Sequence, residues 1–131
     1  KYQGVKTLLT NLKTQGAPVH ALGWQMHVKP SSFSATTLLA RMNEIADLGL
    51  DNYITELDVE LPENASEADY EQQKQTYKIV VETFLSANRR KTLVVWGLRD
   101  KDDPESPPNS LLFDASSNKK SAYFGVQEAL K

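Results

Sequence analysis

Residues 52–60 read NYITELDVE, a stretch with strand character that carries two carboxylates two positions apart. Side chains at that spacing share a face of a strand, so Ile54, Glu56 and Asp58 are expected on one side and Tyr53, Thr55, Leu57 and Val59 on the other. The second set is apolar enough to face a core. The first puts acids where a core strand carries Val or Leu, and an ionised carboxylate is costly to bury unless it is paired, hydrogen-bonded or used in chemistry. A solvated sheet edge would carry the same pattern, so the neighbours of this stretch decide its meaning. His27, late in an earlier strand-like run, can hold one carboxylate ionised and in a fixed rotamer while a second carboxylate sets its tautomer. A carboxylate held in this way is a good nucleophile, and an indole beside it, such as Trp96, is a platform for a sugar ring. Taken singly, His27 and Trp96 both read as ordinary core residues.

The elements that must position these groups follow from periodicity. Tyr2, Val5, Leu8, Leu9 and Leu12 recur at helical spacing, and Gly16 followed by Pro18 marks the stop, giving a helix over 1–15. Across 20–28, Leu22, Trp24, Met26 and Val28 alternate with Gly23, Gln25 and His27, which predicts one continuous strand. Ser34 is a helix cap ahead of Leu38, Met42 and Ile45, and Gly49 ends that helix just before the strand at 52–59. Ser66 and Asp69 form a capping pair for a long helix to about Asn88, its inner stripe Tyr70, Tyr77, Val80, Val81, Phe84 and Leu85. TLVVWGL at 92–98 reads as a buried strand. The stretch after it, DKDDPESPPNS, lacks a periodic apolar face and reads as a long loop; Leu111, Leu112 and Phe113 dock it back before a final helix over 121–130.

Strands that alternate with helices of this length imply βαβ units and a parallel sheet. The acids and aromatics sit late in each strand: Gln25 and His27 in the first, Glu56 and Asp58 in the second, Trp96 and the residues up to Asp100 in the third. In parallel α/β folds, ligands bind at the C-terminal strand ends. A small open sheet and part of a (β/α)8 barrel both fit this order. A full barrel takes about 250 residues, so 131 residues would make a single partial domain, about three strand–helix units. Lys1 opens on a helical pattern already under way, which reads as a piece of a longer chain.

Composition narrows the function classes. With 40% hydrophobic and 24% charged residues the chain is ordinary for a globular domain, and a net charge of −2 with scattered Lys and Arg gives no footprint for nucleic acid. No apolar run suits a membrane span. The absence of cysteine excludes thiol catalysis, disulfides and Cys-ligated zinc. His20, His27, Glu56 and Asp58 lack the spacing of a metal site, and Asp100, Asp102 and Asp103 lack the glycine and closing glutamate of a calcium loop, so neither metal nor cofactor is expected. Asn64-Ala65-Ser66 is a glycosylation sequon.

Four segments taken together, GWQMH at 23–27, ITELDVE at 54–60, VVWGLRDKD at 94–102 and LLFDASSNKKSAYFGVQEAL at 111–130, resemble in order and spacing the C-terminal part of family 10 glycoside hydrolases, the retaining endo-β-1,4-xylanases. The resemblance implies the last three strands of a (β/α)8 barrel and a secreted enzyme acting on xylan or xylo-oligosaccharides. It implies a catalytic set of Glu56 as nucleophile, His27 hydrogen-bonded to it and Asp58 completing the triad, with Gln25 and Trp96 contacting substrate. It also implies a missing N-terminal part of the barrel, whose place at the open sheet edges self-association could take. The chain departs from the family pattern twice. Pro104 stands where a second cleft tryptophan is expected, and no segment matches the one that carries the acid/base glutamate. Retaining hydrolysis needs both carboxyl groups, so the alternative is a non-catalytic carbohydrate-binding or structural piece.

Overall fold

The computed structural model describes residues 1–102 and 109–131. Its elements are α1 (Tyr2–Thr14), β1 (Ala21–Trp24), β2 (His27–Val28), α2 (Ala35–Asp47), β3 (Asp51–Val59), α3 (Glu67–Ser86), β4 (Arg90–Val95) and α4 (Ser121–Ala129). All strand pairings are parallel: β1 and β2 run along one edge of β3, and β4 runs along the other. α2 and α3 start where their caps dictate. The Ser34 hydroxyl accepts from the Thr37 amide, and Ser66 and Asp69 make a reciprocal capping box that satisfies two otherwise unpaired amide donors. Gly49, at φ +76°, takes the left-handed turn that closes α2.

Two expectations about the strands are corrected. The run 20–28 is not one strand: the pairing lapses at Gln25 and Met26, and Met26 adopts φ +55°, off the extended conformation. The alternation of half-buried and exposed side chains nevertheless persists from Ala21 to Val28. β3 also fails to keep period two. From Ile54 to Leu57 it takes three steps while β4 takes two from Leu93 to Val95, and from Ile54 to Asp58 it takes four while the opposite edge takes three from Trp24 to His27. The extra residue is a β-bulge at Thr55–Glu56, and it flips the face. Ile54 therefore joins Leu57 and Val59 in the helix-side core, and does not share a face with Glu56 and Asp58.

That core packs Leu38 and Met42 of α2 and Tyr77, Val80 and Phe84 of α3 against β3, while a second cluster joins Leu9 of α1 to Ile45 and Leu50. Each such side chain, taken wholly out of water, contributes about 1.5–3 kcal/mol. Leu85, expected on the inner stripe of α3, instead faces outward at 39% exposure, because buried Gln73, Thr76 and Thr83 turn the packed face away from it. β4, expected from sequence as a buried strand over 92–98, is likewise not covered on both faces. Leu93 packs against the helix-side core, but Val94 is 49% and Trp96 41% exposed, because among the described residues no second layer covers the sheet face opposite the helices. Among the described residues no helix is long and apolar enough to cross a membrane.

Candidate active site

At the C-terminal end of the sheet His27 lies opposite Asp58 in the β2–β3 register. Its Nδ1 is 3.0 Å from Asp58 Oδ2 and its Nε2 is 3.2 Å from Glu56 Oε2. The bulge makes this geometry: without the extra residue in β3, Glu56 and Asp58 would turn toward the helices and Leu57 toward His27. Asp58 keeps 1% of its side chain exposed, Glu56 21% and His27 38%, so the acids grade from buried to accessible across the imidazole.

The donor inventory ties the charge of His27 to that of its two partners. A neutral imidazole has one N–H, and an ionised carboxylate only accepts. With both acids ionised, the two contacts require the imidazolium, which donates to Asp58 through Nδ1 and to Glu56 through Nε2. Burial pulls the His27 pKa down, but the hydrogen bond and charge of Asp58, followed by those of Glu56, outweigh it and hold the group above its usual value. Glu56 is thus held against the imidazole and stays partly open to solvent.

Trp96 follows β4 directly. Its amide donates to the Leu57 carbonyl at 2.9 Å, and its ring meets the His27 ring edge-on at 6.1 Å between centroids. Gln25 is exposed and shares with His27, but not with Glu56, Asp58 or Trp96, the lining of a groove of about 660 Å3 along β1 and β2. Of the residues singled out from sequence, Glu56, His27, Asp58 and Trp96 are therefore brought together, and Gln25 stands beside them. His20 lies at the opposite end of the sheet, where its carbonyl accepts the Asp51 amide. Among the described residues no group of His, Asp or Glu is arranged to hold a metal ion.

The acidic loop is also committed elsewhere. Asp100 pairs with Lys120 at 2.9 Å and Asp102 with Arg99 at 2.6 Å, while Asp103 and Pro104 lie outside the described residues. Sequence reasoning passed over the supports beneath the site. Gln73 of α3 donates to the carbonyls of Val59 and Asn109 at 2.8 and 2.6 Å, and the Tyr77 hydroxyl donates to the Ser110 carbonyl at 2.7 Å. A glutamine and a tyrosine at positions on the buried stripe of a helix were the available signal, since a buried polar group implies a partner.

Comparison with known proteins bears on the family and the fold. The family model for glycosyl hydrolase family 10 matches residues 1–129. Endo-1,4-beta-xylanase 3 of Hypocrea jecorina is 35% identical over 127 residues, covering 96% of this chain and 33% of its own length. Exoglucanase XynX of Acetivibrio thermocellus is 32% identical over 133 residues, covering all of this chain and 12% of its own. The crystal structure of xylanase 10B from Thermotoga petrophila in complex with xylobiose superposes with a TM-score of 0.90 at 30% identity, over 96% of this chain and 40% of that one. The chain thus spans well under half the length of the proteins it matches, and its open parallel sheet is part of their (β/α)8 barrel. With the motif segments, the sheet and the relatives in agreement, the chain belongs to glycosyl hydrolase family 10.

Proposed function

We propose that this chain carries the nucleophile side of a retaining endo-1,4-β-xylanase. The observation that supports this reading best is the Glu56–His27–Asp58 line, in which a buried acid and an imidazolium hold a second, accessible carboxylate ready to attack. In this mechanism Glu56 forms a bond to the anomeric carbon as the bond to the leaving oxygen breaks, and that oxygen takes a proton from a general acid. Water then attacks the same carbon, its proton passes to the conjugate base of that acid, and Glu56 leaves as carboxylate. The acid and nucleophile of such enzymes stand about 5–5.5 Å apart, and Asp58, buried and bound to His27, is unsuited to the acid role. The acid is therefore assigned to the rest of the barrel. Xylo-oligosaccharide is the proposed substrate class because the xylanase that superposes at a TM-score of 0.90 is described in complex with xylobiose.

The test uses the complete barrel with a 2-fluoro xylobioside that traps the glycosyl ester. Mass spectrometry should place the label on Glu56, and Glu56→Gln should remove nearly all turnover while xylo-oligosaccharide still binds. A label on another residue, or an unchanged rate in the variant, refutes the assignment. Binding without any labelling would favour the non-catalytic reading.

A further inference from the structure

After Trp96 the chain leaves the sheet, and a second polar cluster governs where it goes. Asp100 and Lys120 form an ion pair with only 9% and 8% of their side chains exposed. Lys120 Nζ reaches Asp100 Oδ2 at 2.9 Å and Oδ1 at 3.1 Å, and also donates to the Asn109 carbonyl at 2.7 Å. Asp100 Oδ1 accepts the Leu111 amide at 2.9 Å, and the Asp100 amide donates to the Phe113 carbonyl at 3.1 Å. The pair thus ties the point where the chain departs from β4 to the point where it returns at 109–113.

Stability alone is a poor reason for such a pair. Replacing a buried ion pair by apolar side chains of similar volume is often neutral or favourable, because desolvating both charges offsets their attraction. What this pair supplies is a fixed arrangement of acceptors and donors around two strands of loop, which an apolar contact does not specify. The arrangement reaches the site through Leu111. That side chain is fully buried, and its Cδ1 lies 2.9 Å from where a Cβ would stand on Gly97, the residue after Trp96. Gly97 takes φ +139°, so backbone conformation and close approach both require glycine there. Trp96 itself is 41% exposed, and the strand ends at Val95, so its orientation depends on how the backbone from Gly97 to Asp100 is anchored. The return segment also meets the triad: the Val59 amide, next to Asp58, donates to the Ser110 carbonyl at 3.2 Å.

We propose that the Asp100–Lys120 pair is a positioning device for substrate binding, which fixes Leu111 against Gly97 and so holds the Trp96 indole in place to stack on a sugar. Asp100 and Lys120 touch no substrate; they act through Trp96. The proposal rests on the reading of Trp96 as a sugar platform, and the experiment separates the two.

In the full polypeptide that carries this chain, KM and kcat for a xylo-oligosaccharide are measured for Asp100→Asn/Lys120→Met, for Trp96→Ala and for the triple variant, with thermal melts alongside. The paired replacement removes both charges together, so neither is left buried alone. It should raise KM by about five- to tenfold, the scale of one aromatic contact, with kcat changed less than about threefold. Trp96→Ala should raise KM at least as much, and the triple variant no further. An unchanged KM with a lowered melting temperature would reduce the pair to a structural role. Additive effects in the triple variant would show a route that bypasses Trp96; either result overturns the proposal. A Trp96→Ala variant with wild-type KM overturns the platform reading as well. Should the paired variant not fold, Asp100→Asn/Lys120→Gln, which removes both charges and keeps polar atoms at both positions, is measured with the same expected direction and the same refuting outcomes.

Discussion

Replacing Asp58 by Asn in the complete enzyme isolates the charge of the buried acid, because the amide keeps the shape and can still accept from His27 Nδ1. A hydrogen bond to a charged group contributes about 1.5–3 kcal/mol and a neutral one about 1, so the contact weakens by about 0.5–2 kcal/mol. If that weakening is felt where Glu56 is held for attack, it corresponds to about two- to thirtyfold in rate. His27 keeps 38% of its side chain in solvent, and screening puts the expectation in the lower part of that range, about two- to tenfold. The pH dependence gives a sharper signature. Burial lowers the His27 pKa, while Asp58 and then Glu56 raise it beyond that effect. The substitution removes the larger of the raising influences, so the imidazolium is lost at lower pH. A neutral His27 keeps its one N–H toward position 58 and turns a lone pair on the Glu56 carboxylate 3.2 Å away. The alkaline limb of kcat should therefore move to lower pH. The stability linkage has the same sign: a raised folded-state pKa contributes stability that is complete below about 6.5, the unfolded value, and is lost as pH rises through the folded value. The assay is kcat against pH on an aryl xyloside, with melting temperature followed in the same buffers. A rate within twofold of the wild type and an unmoved alkaline limb would refute the role given to the triad.

If Glu56 is the nucleophile, as proposed, His27→Ala should lower kcat by a smaller factor than Glu56→Gln, because the imidazole would orient the carboxylate without bonding the sugar; an equal or greater loss at saturating substrate, with the fold intact by circular dichroism, would exchange their roles. The 131 residues alone should not hydrolyse xylan, since a missing general acid forgoes a factor of about 10²–10⁴ and the sheet leaves open edges; turnover in a sample shown by mass spectrometry to hold no longer chain would refute this. Gly125→Ala should destabilise the protein by about 1–3 kcal/mol, because the added Cβ would stand 2.4 Å from the Lys74 carbonyl oxygen where α4 crosses α3. Gly4→Ala, with open space at its Cβ, should instead stabilise α1 by up to about 1 kcal/mol. Denaturant melts of both variants give the comparison, and a loss at Gly4 equal to that at Gly125 would count against the packing argument.

The local elements were legible in the sequence because their causes are local. Ser34, Ser66 with Asp69, and Gly49 act within a turn of their own positions, so the helix boundaries follow from a few neighbouring residues. The late positions of His27, Glu56 and Trp96 in their runs marked the site end once the strands were taken as parallel. The facing of β3 was not legible. A bulge is decided by the strands on either side, and nothing in ITELD says that Ile54 turns to the helices while Glu56 turns to His27. The same holds for Asn52, which accepts from the Trp24 indole at 2.8 Å and donates to the carbonyls of Met42 and Asn88, partners brought from 28, 10 and 36 residues away. It holds too for Asp100 and Lys120, a buried ion pair whose partners at 109–113 and 120 lie well along the chain from Asp100. Helix caps and stops depend on neighbours in sequence, whereas register, burial of a charge and the pairing of a buried amide depend on groups that only the folded chain brings together.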